Sequence, residues 1–517
     1  MDDCRRRRRI EVWEGRVRLR NLGFFIVLLA AILAATYFAW RTNTPTNQRA
    51  HQEITLRLDS FALNLYPPSL SETNSRRIGT LLHEPLIRTN EKAELEPGIA
   101  SSWRHDGSNW RFFIPSDRKF SNGDTVTPAD VAASICRSMQ PSSAWGWALA
   151  SIRSTQHGNR VKCDGISIAG NEIEISQSFN APWLMEALSG PAGWVLPAKA
   201  DSSGRYGDAP GAGRYRVAEI VPDSYVLLQP VNPNAGPPPV RFIYVPDDIQ
   251  AASLLKDGQL ALLYLQSPTL RQLVSGASGV MGESSNHYLS THSFDRVRVL
   301  ILNEERLAQL GLSPTDIIAF RNALDTSIDR KKLETISDGL AVADARVLPI
   351  FGSLARSAPA QRDVAALPQI NITVVTEPDS FSDQIAAALP TRIGNITLSH
   401  KTLEKGLLIN SIIKENFDIA SVVIEATIHS PKFWTAFFDP SGAFVAFGKP
   451  IPGVEKIDVS DANALRSLEA LLSAQSNWIS LLRENRVDAQ QKWLIGLHYS
   501  SSGQDDLSNI RIQATTR

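Results

Sequence analysis

The stretch that decides the fold is residues 120–131, which read Phe-Ser-Asn-Gly-Asp-Thr-Val-Thr-Pro-Ala-Asp-Val. The Asn-Gly pair at 122–123 predicts a tight turn, because both residues tolerate the backbone angles that turns require. Thr127 followed by Pro128 and Asp130 predicts that a helix begins at Pro128. The Thr side chain caps the free N–H groups, Pro fits the first helical position, and Asp complements the positive end of the helix. These residues therefore predict a scaffold element rather than ligand contacts.

On both sides of this stretch, the hydrophobic periodicity predicts a mixed α/β protein. Strands are predicted at Glu53–Phe61, Trp110–Ile114, Gly165–Ile168, Glu172–Ser176, Arg214–Ile220, Tyr225–Gln229, Arg241–Val245, Arg296–Leu302, Asn371–Thr376 and Asn395–Ser399. Further helices are predicted at Ile249–Lys256, Pro314–Ile328, Phe381–Leu389 and Ala462–Leu482.

The composition is that of an ordinary globular protein. The chain has 517 residues, of which 43% are hydrophobic and 21% are charged. Such a length predicts two or three packed lobes rather than one domain. The formal net charge is +0, which gives no reason to expect a nucleic acid as partner.

The N-terminal region predicts a membrane anchor. Residues 1–21 carry eight Arg against four acidic residues, and Leu22–Trp40 follows without a charged residue. As a helix this run would be about 28 Å long, close to the thickness of the hydrocarbon core. The basic flank predicts a cytoplasmic N-terminus, with residues 41–517 outside. The alternative is a cleaved signal peptide, although the run is longer than usual for one. Either way, the rest of the chain is exported.

Export determines how the three cysteines are interpreted. Cys4 lies on the reducing side of the membrane, which leaves Cys136 and Cys163 as the extracytoplasmic pair. They form either a disulfide or two separately buried thiols. Three cysteines so placed make no zinc or iron–sulfur site. No metal site and no cofactor are predicted.

Several segments, in chain order, resemble motifs of the family 5 extracellular solute-binding proteins, which include oligopeptide-, dipeptide-, nickel- and oligosaccharide-binding members. Residues 120–131 resemble the family signature "kFhdGtpvtAeDV" over nearly its whole length. Further segments that resemble family motifs are Leu82–Ile87, Glu96–Trp103, Pro210–Tyr215, Leu300–Asn303 and Phe320–Arg330.

This resemblance implies an α/β, two-lobed periplasmic-binding-protein-like (Venus flytrap) fold, with an extra small domain in the first lobe. One transmembrane helix precedes it. Charge and composition predict a cytoplasmic head at 1–21, an anchor at 22–40 and a tether at 41–52. The boundaries implied by analogy are lobe I at 51–85 plus 197–275 plus 470–517, a small subdomain at 86–196, and lobe II at 276–469.

The function that the resemblance implies is capture of a peptide or peptide-like ligand in the cleft between the lobes, for an ABC-type importer. Its partners would be the permease and ATPase subunits, and the anchor would hold the chain in the cytoplasmic (inner) membrane with its bulk in the periplasm. The alternative is a ligand sensor or scaffold that uses the same fold without transport. An enzyme is not predicted, because motifs such as His83-Glu84 lack the remaining residues of a catalytic or metal site.

One departure from the family pattern concerns the ligand. Peptide-binding relatives carry a stretch resembling "G-W-x-A-D-Y-x-D-P-x-x-F", whose first Asp pairs with the ligand ammonium group. With this chain aligned on Trp434, Thr427 stands at the Asp position and Val423 stands near the preceding aromatic. Glu425 lies on the same strand face as Thr427. It is either a substitute carboxylate or a residue of the lobe surface.

The remaining candidates come from position. Asp59 and Ser60 end the first predicted strand, where relatives often contact the ligand backbone. Trp145 lies in a loop of the small subdomain, where it either stacks on a ligand or fills the core. With Trp434, these complete the predicted ligand-binding set.

Overall fold

The computed structural model describes residues 53–70, 72–90, 94–107, 109–200, 209–234, 237–275, 287–348, 364, 366–377, 380–440, 447–458, 461–500 and 502–513. The predicted anchor Leu22–Trp40 and Cys4 lie outside these residues. Within them, no helix is both long enough and apolar enough to cross a membrane. Residues Ile54–Arg517 form one compact unit.

The strands of this unit, in chain order, are β1 (Ile54–Leu58), β2 (Ile87–Thr89), β3 (Leu95–Pro97), β4 (Ser102–Asp106), β5 (Asn109–Phe113), β6 (Thr155–His157), β7 (Arg160–Lys162), β8 (Ile166–Ala169), β9 (Glu172–Ser176), β10 (Tyr215–Val221), β11 (Tyr225–Pro230), β12 (Val240–Tyr244), β13 (Leu262–Tyr264), β14 (His287–Leu302), β15 (Ala341–Ala343), β16 (Asn371–Thr376), β17 (Arg392–Ile393), β18 (Ile396–Thr402), β19 (Ile419–Glu425), β20 (Trp478–Gln491), β21 (Leu494–Ile495), β22 (His498–Tyr499), β23 (Asp505–Asp506) and β24 (Arg511–Ile512).

The α-helices are α1 (Thr73–Leu82), α2 (Pro128–Ser138), α3 (Leu184–Leu188), α4 (Asp248–Lys256), α5 (Pro268–Ser275), α6 (Glu304–Gln309), α7 (Pro314–Ser327), α8 (Arg330–Ile336), α9 (Ser380–Ala388), α10 (Lys405–Ile413), α11 (Pro431–Thr435) and α12 (Ala462–Gln475). Short 3-10 helices occupy Pro67–Ser69, Pro191–Gly193 and Val454–Lys456.

One large mixed sheet runs through the unit, in the strand order β10-β11-β12-β1-β13-β20-β14-β19-β16-β18-β17, with β15 paired to β20. We call the part on the β10 to β13 side lobe I and the part on the β19 to β17 side lobe II. In lobe I, β1 pairs in parallel with β12 and β13, and in lobe II, β16 pairs in parallel with β18 and β19. Parallel pairing requires crossover connections, which supply the helices that cover the sheet.

The two longest strands, β14 and β20, join the lobes. They pair with each other antiparallel, while β20 also pairs with β13 of lobe I and β14 with β19 of lobe II. Their register shifts between His292 and Arg296, which places an irregularity where the chain passes from one lobe to the other. Irregular pairing bends a strand locally. The connection between the lobes is therefore a pair of continuous strands, with this bend in β14 and a second register shift between Arg298 and Val299.

A smaller four-stranded sheet, β4-β5-β9-β8, lies with α2 and α3 in the region of residues 102–188. We call this region the small subdomain. Cys136 of α2 and Cys163 form a disulfide in it, which resolves the alternative that the sequence left open. The small subdomain contacts lobe II, because the ring of Trp147 packs edge-on against that of Phe433 at 5.5 Å between centroids. The boundaries implied by analogy for the lobes and the small subdomain stay a prediction.

The capped helix predicted at residues 127–131 is confirmed. Helix α2 begins at Pro128, the Thr127 side chain accepts a hydrogen bond from Asp130 N, and Asp130 Oδ2 accepts one from Thr127 N at 2.8 Å. This reciprocal pair satisfies two N–H groups that would otherwise lack partners at the start of a helix. The residues thus stabilise the scaffold, as the sequence predicted.

The predicted helix at Ala462–Leu482 is wrong in its last part. Helix α12 ends at Gln475, and the central strand β20 begins at Trp478. Strand β20 is flanked on both edges and mostly buried along its length, so its apolar residues do not alternate with polar ones. The part that the helix prediction included, Trp478–Leu482, reads Trp-Ile-Ser-Leu-Leu, and so short and largely apolar a run cannot be told from a buried helix by periodicity alone.

The turn at Pro210–Tyr215 holds the C-terminal end of α1 in place. Gly213 N donates to Leu82 O at 2.9 Å. A Cβ atom on Gly211 would lie 1.9 Å from the same carbonyl oxygen, so a side chain cannot fit there. This close approach explains why glycine occupies the turn.

Candidate binding cleft

A cleft opens between the lobes beside the connecting strands, and it contains about 950 Å³ of empty space, including the part open to solvent. Lobe I contributes α1 and the C-terminal β22–β23 hairpin, and lobe II contributes the end of β19. The small subdomain contributes Glu186 of α3, and the segment after it contributes residues 189–191 and 194. The side chains that line it include Thr73, Arg76, Arg77, His83, Arg88, Glu186, Trp194, Glu425, Thr427, Tyr499, Gln504, Asp505 and Asp506.

Glu425 is the cleft carboxylate at the end of β19, and it is already paired with cations. Its Oε1 lies 2.5 Å from Arg76 Nη2 of α1, and its Oε2 lies 3.7 Å from Arg296 Nη1 of β14. The Arg76 and Glu425 side chains are only 9% and 12% exposed. Because little water screens it, the pair is held more tightly than a surface ion pair.

This pair is one end of a buried row of alternating charges that we call the charge ladder: Arg298, Glu484, Arg296, Glu425 and Arg76. Glu484 of β20 lies 3.0 Å from Arg298 and 2.8 Å from Arg296, both on β14. The ladder thus runs from lobe II across both connecting strands to α1 of lobe I. It contains three arginines and two glutamates.

A second charged cluster lies on the lobe I side of the cleft. Arg77 Nε is 2.7 Å from Asp505 Oδ2, and Arg486 contacts both Asp505 at 3.2 Å and Asp488 at 2.6 Å. Burial acts to raise the pKa of Asp505, but the two arginines hold it below its ordinary value. Asp505 is therefore ionised and compensated at neutral pH.

The small subdomain reaches the cleft through Glu186. Its Oε1 accepts a hydrogen bond from His429 N of lobe II at 2.7 Å. The His429 ring in turn lies with Nδ1 2.6 Å from Asp295 Oδ2, at the irregular part of β14. The small subdomain, lobe II and the bend in β14 are therefore connected through one histidine.

An aromatic wall of the cleft is formed by His83, which precedes the small subdomain in the chain, and Trp194, which follows it. His83 packs on Trp194 with 5.3 Å between ring centroids, and burial lowers the pKa of His83 to about 4. The ring is consequently neutral at physiological pH. Beside it, the Arg88 guanidinium pairs with Glu84 and donates to Ser508 Oγ at 3.2 Å.

Thr427 contributes a hydroxyl group to the lining of the cleft. Among the described residues, its buried Oγ1 has no hydrogen-bond partner, although the residue lines the cleft. Buried hydroxyl groups normally have a partner, and leaving one unpaired costs free energy. A ligand group in the cleft would satisfy it.

The structure brings together two of the residues that the sequence singled out, Glu425 and Thr427. Asp59 and Ser60 lie instead at the end of β1, where Asp59 accepts hydrogen bonds from Asn74 and Gln266 at 2.7 and 2.8 Å. Neither is among the residues that line the described cleft.

The other three candidates also lie away from the lining of the described cleft. Val423 sits within β19, opposite Arg298. Trp145 and Trp434 are buried, and Trp145 Nε1 donates to Pro67 O at 2.7 Å. These positions match core packing, the alternative stated for Trp145. A ligand role for these residues stays a prediction without support from their positions.

Sequence reasoning missed the lobe I wall of the cleft. Arg76 and Arg77 come from α1, and Asp505 and Asp506 come from the C-terminal hairpin. The two adjacent arginines in a predicted helical segment could have indicated buried ion pairs, because arginine side chains that are buried almost always have a charged or hydrogen-bonding partner. The hairpin residues carried no comparable signal.

Comparisons with known proteins bear on this architecture. The model of the family described as "Bacterial extracellular solute-binding proteins, family 5 Middle" matches residues 94–367. The nickel-binding periplasmic protein of Escherichia coli is 24% identical over 318 residues, which are 59% of this chain and 56% of the relative. The periplasmic murein peptide-binding protein MppA of Escherichia coli is 26% identical over 163 residues, 29% of this chain and 30% of the relative. The chain thus aligns with about half or less of the length of these relatives.

Solved structures match over more of the chain. The Escherichia coli murein tripeptide binding protein MppA has a TM-score of 0.73 at 17% identity, covering 89% of this chain and 98% of that one. Haemophilus influenzae OppA in complex with RPPGFSPFR also has a TM-score of 0.73, at 16% identity, covering 90% and 99%. The predicted two-lobed α/β fold is confirmed by this likeness. The family match covers more than half of the sequence, and this chain belongs to the family 5 bacterial extracellular solute-binding proteins.

Proposed function

We propose that this chain captures a peptide or peptide-like ligand between its lobes and delivers it to an ABC-type importer, with Leu22–Trp40 as its membrane anchor. The observation that carries the proposal is that both lobes line one cleft. Arg76 of lobe I meets Glu425 of lobe II across it. A site shared by two lobes is completed only when they come together, which is how a hinged protein encloses a ligand.

The connecting strands support a hinge at this place. Only β14 and β20 carry the described main sheet from lobe I to lobe II, and β14 is irregular between His292 and Arg296. A rotation of the lobes needs changes in a few backbone angles at such a point. The cleft lies beside it, so opening there would expose the ligand.

The names of the relatives support the class of ligand and the partner. Murein peptide- and oligopeptide-binding proteins are among both the sequence relatives and the structural neighbours, and one neighbour is described as the substrate-binding domain of an oligopeptide ABC transporter. A nickel-binding protein is also among the relatives. Peptide-like chemistry is proposed because the residues that line the cleft combine hydrogen-bonding side chains with apolar surface.

The apolar run Leu22–Trp40 supports the anchor. It has no charged residue and follows a basic segment, a pattern typical of a helix that spans the membrane with its N-terminus inside. Such an anchor would keep the binding unit beside a permease in the same membrane.

The proposal is tested by native mass spectrometry of the full chain purified in detergent. We expect a co-purified ligand, and a smaller radius of gyration by small-angle scattering with the ligand than after its removal.

Thr427→Trp fills the cleft and should abolish binding, whereas Thr397→Trp on the exposed side of β18 should not. No bound species, with no binding from a peptide library, would refute the proposal. If the chain binds ligand but membrane vesicles that contain the chain together with an ABC permease and its ATPase take up none, a sensor is favoured.

A further inference from the structure

Each carboxylate that lines the cleft already has an ion-pair or hydrogen-bond partner. Four carboxylates line it among the described residues: Glu186, Glu425, Asp505 and Asp506. Glu425 faces two arginines, Asp505 faces two arginines, and Glu186 accepts the N–H of His429. Asp506 accepts from Ser508 N at 2.8 Å and helps to raise the pKa of Arg88. An incoming ammonium group therefore meets no carboxylate without a competing donor in this part of the chain.

The arginines of the lining are occupied in the same way. Arg76 pairs with Glu425, Arg77 with Asp505, and Arg88 with Glu84. A ligand carboxylate would have to displace one of these buried partners. Removing one partner of a buried pair leaves an uncompensated charge, which is strongly unfavourable. The lining residues that form ion pairs, which are Arg76, Arg77, Arg88, Glu425 and Asp505, therefore offer no ready partner to a charged ligand end.

The end of the cleft at Glu425 disfavours a cation in particular. Arg76 and Arg296 both lie against Glu425, so its carboxylate already faces two cations. An ammonium group placed beside Glu425 would also lie close to Arg76 and Arg296. It would lose its hydration without gaining a carboxylate of its own.

What this end of the cleft offers instead is a neutral polar atom. Thr427 Oγ1 is buried and has no partner among the described residues, and Thr427 stands only two residues from Glu425. A hydroxyl can both donate and accept one hydrogen bond without a charged partner. An amide, hydroxyl or ester group of a ligand matches it.

We infer that the ligand presents an uncharged polar end to Thr427, such as a blocked or cyclised peptide end, and not a free ammonium group. This inference rests on the proposed function and specifies the class of ligand for the same cleft. It makes Glu425 part of the wall, held by Arg76 and Arg296, rather than the partner of a ligand cation.

The test compares two tripeptide libraries, both amidated at the C-terminus, of which one has free N-termini and the other is N-acetylated. The full chain in detergent is stripped of bound ligand and titrated with each, and complexes are counted by native mass spectrometry. We expect the acetylated library to bind at least tenfold more tightly. Thr427→Asp introduces a carboxylate and should reverse this order, whereas Thr427→Asn, of similar size without charge, should not.

Tighter binding of the free-amine library by the unchanged chain would overturn the inference and leave the proposed function intact. The same holds if Thr427→Asp stays folded by circular dichroism and gains no affinity for free amines. If neither library binds, the co-purified species decides: a ligand with a primary ammonium group overturns the inference, and one without supports it. A chain that carries no ligand and binds neither library defeats the proposed function, and the inference with it.

Discussion

Arg76 and Glu425 face each other across the cleft with 2.5 Å between Nη2 and Oε1, and they link helix α1 of lobe I to the end of β19 in lobe II. They are 349 residues apart in sequence. The pair contacts the rest of the charge ladder through Arg296, so it is continuous with the strands that connect the lobes. Lobe contact at this point does not require a ligand to bridge it.

Glu425→Gln should loosen the contact between the lobes. The amide keeps the volume of the side chain but leaves Arg76 and Arg296 without their shared carboxylate, so we expect unfolding to become easier by roughly 2 kcal/mol. Hydrogen–deuterium exchange should become faster in Thr73–Leu82. Glu172→Gln is the matched control, because its partner Arg104 is 57% exposed and such a pair contributes less than about 1 kcal/mol. Unchanged exchange in α1 would contradict a linking role for Glu425.

The contact between His429 and Asp295 should make stability depend on pH. The hydrogen bond to Asp295 raises the pKa of His429 above its ordinary value of 6.5. The folded chain therefore binds this proton more tightly than the unfolded chain, so the stabilisation is fully present below pH 6.5. It is lost as the pH rises through the folded-state pKa.

The size of this effect is small, because the His429 side chain is 43% exposed and solvent screens the interaction. We expect less than about 1 kcal/mol. Urea unfolding at a series of pH values should show the decline in the unchanged chain, and His429→Gln should flatten it. His157 is exposed, so His157→Gln is the control, and its unfolding free energy should vary with pH as in the unchanged chain. An identical slope in His429→Gln would exclude the histidine as its source.

Local signals in the sequence predicted much of the scaffold. Strands β9 and β16 have the predicted bounds, and α2 begins where Thr127 and Pro128 place it. Caps, turns and short amphipathic elements depend on residues within a few positions of one another. A single sequence contains that information directly.

The cleft depends on contacts that no local pattern encodes. Arg76 meets Glu425, and Arg77 meets Asp505, across several hundred residues. The sequence located Glu425 and Thr427 through the resemblance alone, and it gave no hint that the glutamate has arginine partners. Strand β20, which connects the lobes, was missed because burial on both faces removes the alternation by which strands are recognised.

The Cys136–Cys163 disulfide should stabilise the small subdomain. It closes a loop of 27 residues between α2 and the segment after β7. Closing a loop of that size restricts the unfolded chain, and we expect its removal to cost about 3 kcal/mol. Thermal unfolding of the double variant Cys136→Ser/Cys163→Ser measures this, with Cys4→Ser as the control that should leave the transition unchanged. Thiol titration of the denatured, unreduced chain should find one free thiol per molecule, and three would contradict the bond.

Arg486 should be the most sensitive charged residue of lobe I. Its side chain is 2% exposed, it contacts Asp488 at 2.6 Å and Asp505 at 3.2 Å, and its guanidinium carbon lies 4.6 Å from the centroid of the Tyr264 ring. Arg486→Met retains much of the apolar contact but leaves Asp488 without its ion pair and Asp505 with Arg77 alone. Breaking a buried ion pair in this way costs about 3–5 kcal/mol. Urea unfolding monitored by circular dichroism should detect the loss, and the difference from the unchanged chain should shrink at acidic pH, because Arg486 no longer stabilises the Asp505 carboxylate once it is protonated. Lys449→Met, which removes an exposed pair with Glu304, should change stability by less than about 1 kcal/mol. A loss no larger for Arg486→Met than for Lys449→Met would show that the buried cluster contributes no more than a surface pair.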